Sequence, residues 1–297
     1  MYISVIIPHK GQEEYLLRCV KALSRQRYAH KQWELIIVHN DSRPLAVPIS
    51  CGDVETQVVW EPKPGPAAAR NMGMKLARGE IIALTDADTI PDEQWLMAGA
   101  NYLAANPQVA IGAGEIARPV DLRTASAIAL FDAVTYLQQR AYVERHRACV
   151  TANMFIRKEV ADSVGGFDEA FSDNSYDDWD WVVRAVSSGF NIEFIQDAIV
   201  LHDCIDSLRG LRTKVRRMCR GQIAFDKKHN RWRDGHFRFA PAFWGITADR
   251  LKKLRTDNRL TTYQRIKLLL PALASSYWYA SEMGRILKGD KVLKSRQ

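Results

Sequence analysis

The first hundred residues alternate between two hydrophobic patterns. Ile3–Ile7 (ISVII) is a β-branched run stopped by Pro8, and it reads as a strand buried on both faces. From Tyr15 to Leu23 the period lengthens, with Leu16, Val20 and Leu23 on one helical face. Leu35–Val38 (LIIV) predicts a second buried strand, and Val58 and Val59 hint at a third. Ala67–Ala77 is rich in helix formers, Ile81–Leu84 is a further short strand, and Asp92–Ala105 reads as a helix. Strand and helix in alternation predict an α/β domain with a largely parallel sheet.

Beyond this the pattern is less regular. Residues 113–150 read as irregular and partly helical, and Ile156–Val164 and Trp181–Ser187 read as helices. Ile192–Phe194 and Ala198–Leu201 read as short strands flanking Asp197. After His202 the chain changes character. Leu208, Leu211, Val215, Met218 and Gln222 share one helical face, while Arg209, Arg212, Arg216, Arg217 and Arg220 crowd the rest. The expected division is therefore a body over 1–205 and a basic helical extension over 206–297.

Charge sharpens that division. The 297 residues hold 42 Lys plus Arg and 34 Asp plus Glu, a net charge of +8. Residues 1–205 carry 19 basic and 27 acidic residues (−8), and residues 206–297 carry 23 and 7 (+16). An acidic body argues against a nucleic-acid binder, whereas a basic tail suits a phosphate-bearing or anionic partner. The 47% hydrophobic content excludes a disordered or fibrous chain. Five widely spaced cysteines without a CxxC argue against a disulfide framework or structural zinc, and they fit a reducing compartment. MYISVIIPHK lacks the basic leader and long apolar run of a signal peptide. Leu268–Ser281, interrupted by Pro271, is too short to span a bilayer. The expectation is a cytoplasmic protein, peripheral at most on the inner membrane face.

Three predicted strands end in polar residues: Pro8-His9-Lys10, His39-Asn40-Asp41 and Asp86-Ala87-Asp88. Ligands of open parallel sheets sit at such ends. Neither GxGxxG nor GxxxxGK[ST] is present, which argues against a dinucleotide fold and a P-loop NTPase. The two carboxylates of Asp86 and Asp88 suit a hard cation such as Mg2+ or Mn2+, or else cap a turn. Asp177-Asp178-Trp179-Asp180-Trp181 is the densest acidic cluster. Mutual repulsion there raises one pKa and favours a general base; a helix N-terminus is the plainer explanation. The flanking tryptophans suit stacking on sugar faces. His202, beside Asp203, is a candidate metal ligand, Arg70 a candidate phosphate binder, and Gly165-Gly166 either a ligand-facing turn or a helix cap.

These segments, in this order, resemble the family 2 glycosyltransferases of GT-A fold. The resemblance rests on SVIIPHKGQEEYLLRCVKAL, WELIIVHNDS, AAARNMGMKLARGEIIALTDADTIPDEQWL, TANMFIRKEVADSVGGFDEAF, YDDWDWVVRA and AIVLHD, spanning about residues 1–205. It implies a nucleotide-sugar half over about 1–112 and an acceptor half over about 113–205. Pro8, His9, Asn40, Arg70, Asp86 and Ala87 would line the nucleotide pocket, although Asn40 stands where the family has an aspartate reading uracil. Asp88 and His202 would bind Mn2+ or Mg2+. Asp178 would be the base, with Asp177 as the alternative. Asn153, Gly166, Trp179, Asp180 and Trp181 would face the donor or acceptor sugar, and Arg217 and Arg220 the diphosphate. The implied reaction is inverting transfer of a sugar from a nucleotide-diphosphate sugar, UDP-sugar favoured, to a hydroxyl of a glycan or lipid-linked acceptor. The family's processive QxxRW motif is missing, so a single addition is expected.

Two other readings compete. A sugar-phosphate nucleotidyltransferase needs a Gly- and Arg-rich loop after the first strand, where only Gly11 stands. A non-catalytic module could grip RNA or membrane through Phe225, Trp232, Phe237 and Phe239 among the basic residues, but it leaves the acidic motifs unexplained. The tail could be a solvated helical face that needs no function, or it could dock on anionic lipid, with Leu268–Leu270, Trp278 and Tyr279 dipping into the interface. No nucleic-acid partner is expected, and a homodimer is left open.

Overall fold

The computed structural model describes residues 1–121, 123–171, 175–231 and 239–294. In chain order the elements are β1 (Ile3–His9), α1 (Glu13–Leu23), β2 (Trp33–His39), β3 (Glu55–Trp60), α2 (Pro66–Leu76), β4 (Ile81–Thr85) and β5 (Thr89–Pro91). Then come α3 (Trp95–Ala105), β6 (Val109–Ala117), α4 (Ala127–Thr135), α5 (Gln139–His146), β7 (Asn153–Arg157), α6 (Lys158–Val164) and α7 (Asp177–Ser187). β8 (Asn191–His202), α8 (Leu208–Lys228), α9 (Phe239–Thr256), α10 (Thr262–Lys267) and α11 (Leu269–Lys294) complete the chain.

The chain divides into two units, Met1–Arg118 with Gln138–Asp203, and Pro119–Leu137 with Cys204–Gln297. The first holds one sheet in the order β3-β2-β1-β4-β7-β6-β8-β5. Four strand pairings are parallel (β1–β2, β1–β4, β2–β3, β6–β8) and three antiparallel. The β-branched runs of β1, β2 and β4 are buried on both faces, as their unbroken pattern demands. Helices α2, α6 and α7 close over the core around Ile6, Ile36, Leu84, Met154 and Trp181.

Several boundaries differ from expectation. β6 runs into the start of the stretch expected to be irregular and is not anticipated by the sequence pattern, because Gly112 and Gly114 dilute its apolar run. Ile156 and Arg157 belong to β7, which pairs with both β4 and β6, so the next helix starts only at Lys158. β8 runs unbroken through Asp197, because a register shift at Gly114/Glu115 lets its pairing with β6 continue. α7 starts at Asp177, which places the acidic cluster in its first turn.

The expected boundary at 205 also shifts. Residues 119–137 go with the second unit, where Leu130, Phe131 and Val134 share a core with Leu211, Val215, Cys219 and Leu254. The buried face of α8 is Leu211, Val215, Cys219 and Ile223, whereas Leu208, its first residue, is exposed. Leu268 and Tyr279, expected at a membrane surface, are buried in the same core. Trp232 and Phe237 lie outside the described residues.

Helix α2 crosses β1 at Gly73, where a Cβ would sit 2.4 Å from Ile6 Cγ2. In an open helix, Gly→Ala adds about 1 kcal/mol of stability. Here the overlap reverses the sign. Gly73→Ala is expected to lower unfolding stability by about 1–3 kcal/mol, read as a lower urea midpoint. A raised midpoint would contradict this packing.

Candidate active site

Asp86, Ala87 and Asp88 form the turn between β4 and β5. Beneath it the buried Thr85 hydroxyl donates to the Ala152 carbonyl (2.9 Å) and lies 2.7 Å from Thr89 Oγ1, which reaches the Asp86 carbonyl (2.8 Å). The Thr89 N–H closes the turn on the Asp86 carbonyl (3.2 Å). β5 then pairs antiparallel with β8 so that Thr89 stands opposite His202. That register brings His202 Nε2 to 3.7 Å from Asp88 Oδ1. His202 Nδ1 lies 2.9 Å from the Asp203 carbonyl, which can only accept, so Nδ1 carries the proton. In the neutral ring Nε2 then presents a lone pair toward a carboxylate, an arrangement that a cation between them stabilises. Ligand atoms of Asp86, Asp88 and His202 all lie within 4.8 Å of one another, so the donor set fits Mn2+ or Mg2+.

Arg70 projects from α2 and is almost wholly buried. Its guanidinium donates to Asp177 Oδ2 (2.6 Å) and Asp86 Oδ1 (3.2 Å), and it lies over the Phe167 ring. One side chain thus ties α2 to the first turn of α7 and to the Asp86–Asp88 turn. Asp177, itself buried, has its charge answered by Arg70. Asp178 makes no ion pair among the described residues; its Oδ1 accepts the Trp179 N–H at 2.8 Å. Burial pushes its carboxyl up to about 7, the Asp177 charge pushes the same way, and Arg70 and the Trp179 N–H pull against them. A carboxyl poised near neutrality is suited to accept a proton. Two residues before it, at the N-cap of α7, Tyr176 holds a left-handed φ of +69°, a strained conformation for a bulky residue.

Other expected contacts serve the scaffold. Asn40 Nδ2 donates to the Glu61 and Lys63 carbonyls (2.8 and 2.7 Å), and Oδ1 accepts from Gly65 N (2.8 Å). With both amide protons used, Asn40 braces the loop 61–65 instead of reading a base edge. Asn153 is fully buried; it accepts from Trp95 Nε1 and donates to the Glu115 and Ala198 carbonyls, so it bridges β6, β8 and α3 and cannot face a sugar. Asp180 is fully buried and paired with Arg184 (3.0 Å). Trp181, also fully buried, stacks on Phe167 and donates to the Gly165 carbonyl (2.7 Å). Gly165 caps α6 at φ +79°, and the Gly166 carbonyl accepts from Arg184, so this glycine pair is a cap and brace.

The remaining candidates keep some access. Pro8 and Ala87 are half-buried. His9 is buried at the end of β1, its Nδ1 3.2 Å from that of His39, and burial lowers its pKa. Trp179 alone of the acidic cluster's tryptophans has exposed area. Its ring is surrounded by Tyr142, His146 and Tyr176 at 5.4–5.5 Å between centroids. Those three escaped the sequence reading; the i, i+4 pair Tyr142/His146 on α5 was the available signal. In the second unit, Arg220 pairs with Glu282 (3.1 Å), and Arg217 Nε is buried without a hydrogen bond.

The mostly parallel sheet flanked by helices defines an α/β fold of GT-A type. The profile of Glycosyl transferase family 2 matches residues 4–165, more than half of the chain, and the chain belongs to that family of glycosyltransferases. It is 28% identical over 228 residues to glycosyltransferase AglE of Haloferax volcanii, covering 75% of this chain and 73% of that protein. It is 28% identical over 218 residues to the pre-mycofactocin glycosyltransferase of Mycobacterium tuberculosis, covering 70% of this chain and 44% of that one. Among solved structures, the mannosyltransferase PcManGT from Pyrobaculum calidifontis, in complex with GDP-Man and Mn2+, shares the fold (TM-score 0.61, 16% identity, 95% of this chain and 86% of that one). S. aureus TarS 1-349 in complex with UDP-GlcNAc also does (TM-score 0.53, 14% identity, 97% and 92%).

The raised pKa of Asp178 has a thermodynamic consequence. Its carboxylate is disfavoured by folding, so stability is lost as pH rises from the unfolded pKa near 4 through the folded value of about 7. Asp178→Asn, neutral at every pH, is therefore expected to melt above the parent at pH 8. The gap should close toward pH 4. A lower melting temperature at pH 8 would contradict the assignment.

Proposed function

We propose that the chain transfers a glycosyl group from a nucleoside-diphosphate sugar to an acceptor hydroxyl by a single inverting displacement, with Asp178 as the base. One observation carries this reading. Arg70 bonds both Asp86, of the Asp86–Asp88–His202 donor set, and Asp177, the neighbour of Asp178, so ligand set and base form one network. Asp86, Asp88 and His202 would hold Mn2+ or Mg2+, which when bound offsets the charge of a departing diphosphate.

The protein's own part is proton transfer and orientation. The Asp178 carboxylate takes the proton of the acceptor hydroxyl. The freed oxygen bonds the anomeric carbon on the face opposite the diphosphate, whose C–O bond breaks and keeps the electron pair. No second carboxylic acid is needed, because the leaving group departs as an anion; a glycosidase would need one. The ring of Trp179 offers a face for the acceptor sugar. A uridine base and a single addition complete the proposal; both come from the family resemblance.

Asp178→Asn is expected to lower kcat about 10²–10⁴-fold while leaving donor affinity nearly unchanged by calorimetry; near-normal turnover would remove the base assignment. Because the base acts ionised, kcat/KM should fall tenfold per pH unit below about 7 and level off above it. EDTA should abolish nucleoside-diphosphate release, and Mn2+ or Mg2+ should restore it. A donor panel and product mass spectrometry test the base and the single addition.

A further inference from the structure

The second unit carries an apolar face that its own core does not use. Tyr263, Ile266, Leu270, Leu273 and Tyr277 recur at steps of three, four, three and four residues across α10 and α11. Leu268, between the two helices, keeps a right-handed helical conformation (φ −85°, ψ −6°), so the stripe runs on across the junction. This spacing puts all five on one side. They are exposed by 74, 61, 72, 40 and 54%, respectively. The opposite side of the same segment, Leu268, Ala272 and Tyr279, fills the core, so the exposed stripe is the remaining face of an element already packed.

An aromatic edge extends it. Phe239 on α9 lies 5.8 Å from the Tyr277 ring and 6.1 Å from Phe243, which in turn lies 4.9 Å from Trp244, itself 63% exposed. Contiguous apolar surface of this kind marks an interaction site. Its composition is that of a membrane interface, where Tyr and Trp keep a polar edge in water and an apolar body in lipid.

Charge identifies the occupant. Residues 206–297 carry +16, and Lys252, Arg255 and Lys267 have no carboxylate partner among the described residues. Two copies of so basic a segment repel one another, whereas an anionic surface attracts it. None of the described helices is long and apolar enough to cross a membrane, so the contact is lateral. We propose that α10 and α11, with the aromatic edge of α9, lie in the interface of an anionic phospholipid bilayer. The inserted residues are the Tyr263–Tyr277 stripe; of the Leu268–Leu270, Trp278 and Tyr279 set that the sequence pattern favours, it keeps Leu270, while Leu268 and Tyr279 are buried and Trp278 packs against the core. The proposal is independent of the base and metal assignments.

The test is co-sedimentation of the full chain with vesicles of phosphatidylcholine alone or with about 30 mol% phosphatidylglycerol. Binding is expected only to the anionic vesicles, and it should weaken at least about tenfold between roughly 0.05 and 0.5 M salt. Leu270→Glu and Ile266→Glu, both at exposed positions, should each reduce partitioning about tenfold or more. Circular dichroism and release of nucleoside diphosphate without vesicles should be unchanged. No binding at low salt, equal binding to both vesicles, or binding indifferent to both substitutions would overturn the proposal. So would a concentration-dependent dimer dissolved by Leu270→Glu in the absence of vesicle binding, which would assign the face to a second copy.

Discussion

The site hangs on one buried guanidinium. Arg70 neutralises Asp177 and reaches Asp86, so α2, the first turn of α7 and the turn after β4 are held in fixed relation. Removing one partner from a buried pair leaves an uncompensated charge, typically at a cost of about 3–5 kcal/mol. Its commitment to Asp177 also explains the next residue. Asp178 is left with burial and a like-charged neighbour, and both favour the protonated form. Two adjacent aspartates thus differ in environment because only Asp177 is ion-paired with Arg70.

Strand register supplies the other half. Thr89 opposite His202 places the histidine against Asp88, although the two are more than a hundred residues apart in the chain. The threonines under the turn and the Asp203 carbonyl behind the ring then set which atoms face outward. Asn40, Asn153, Asp180 and Trp181 do comparable work out of sight. Each satisfies buried polar groups so that loops near the site keep one shape.

The buried strands were legible because β1, β2 and β4 are short apolar runs ending in polar residues, and that pattern is what pointed to the candidate site at their ends. The acidic motifs were also visible, although a turn cap and a helix N-terminus explain Asp86-Ala87-Asp88 and Asp177-Asp178 as well from sequence alone, and the cluster does open α7. What stayed hidden depends on contacts distant in sequence. Asn153 looks like a ligand-facing amide until its partners Trp95, Glu115 and Ala198 are known. Trp181 and Trp179 look alike in sequence, yet helical phase buries one and leaves the other at the surface. β6 was masked by its glycines, and the grouping of 119–137 with the C-terminal helices shows only in the shared core.

The most direct test of the account is a crystal structure with a nucleoside-diphosphate sugar and Mn2+, located by its anomalous signal. A single peak is expected within the Asp86–Asp88–His202 set, with Asp178 across the anomeric carbon from the diphosphate. A peak elsewhere, or Asp178 on the same side as the diphosphate, would contradict it.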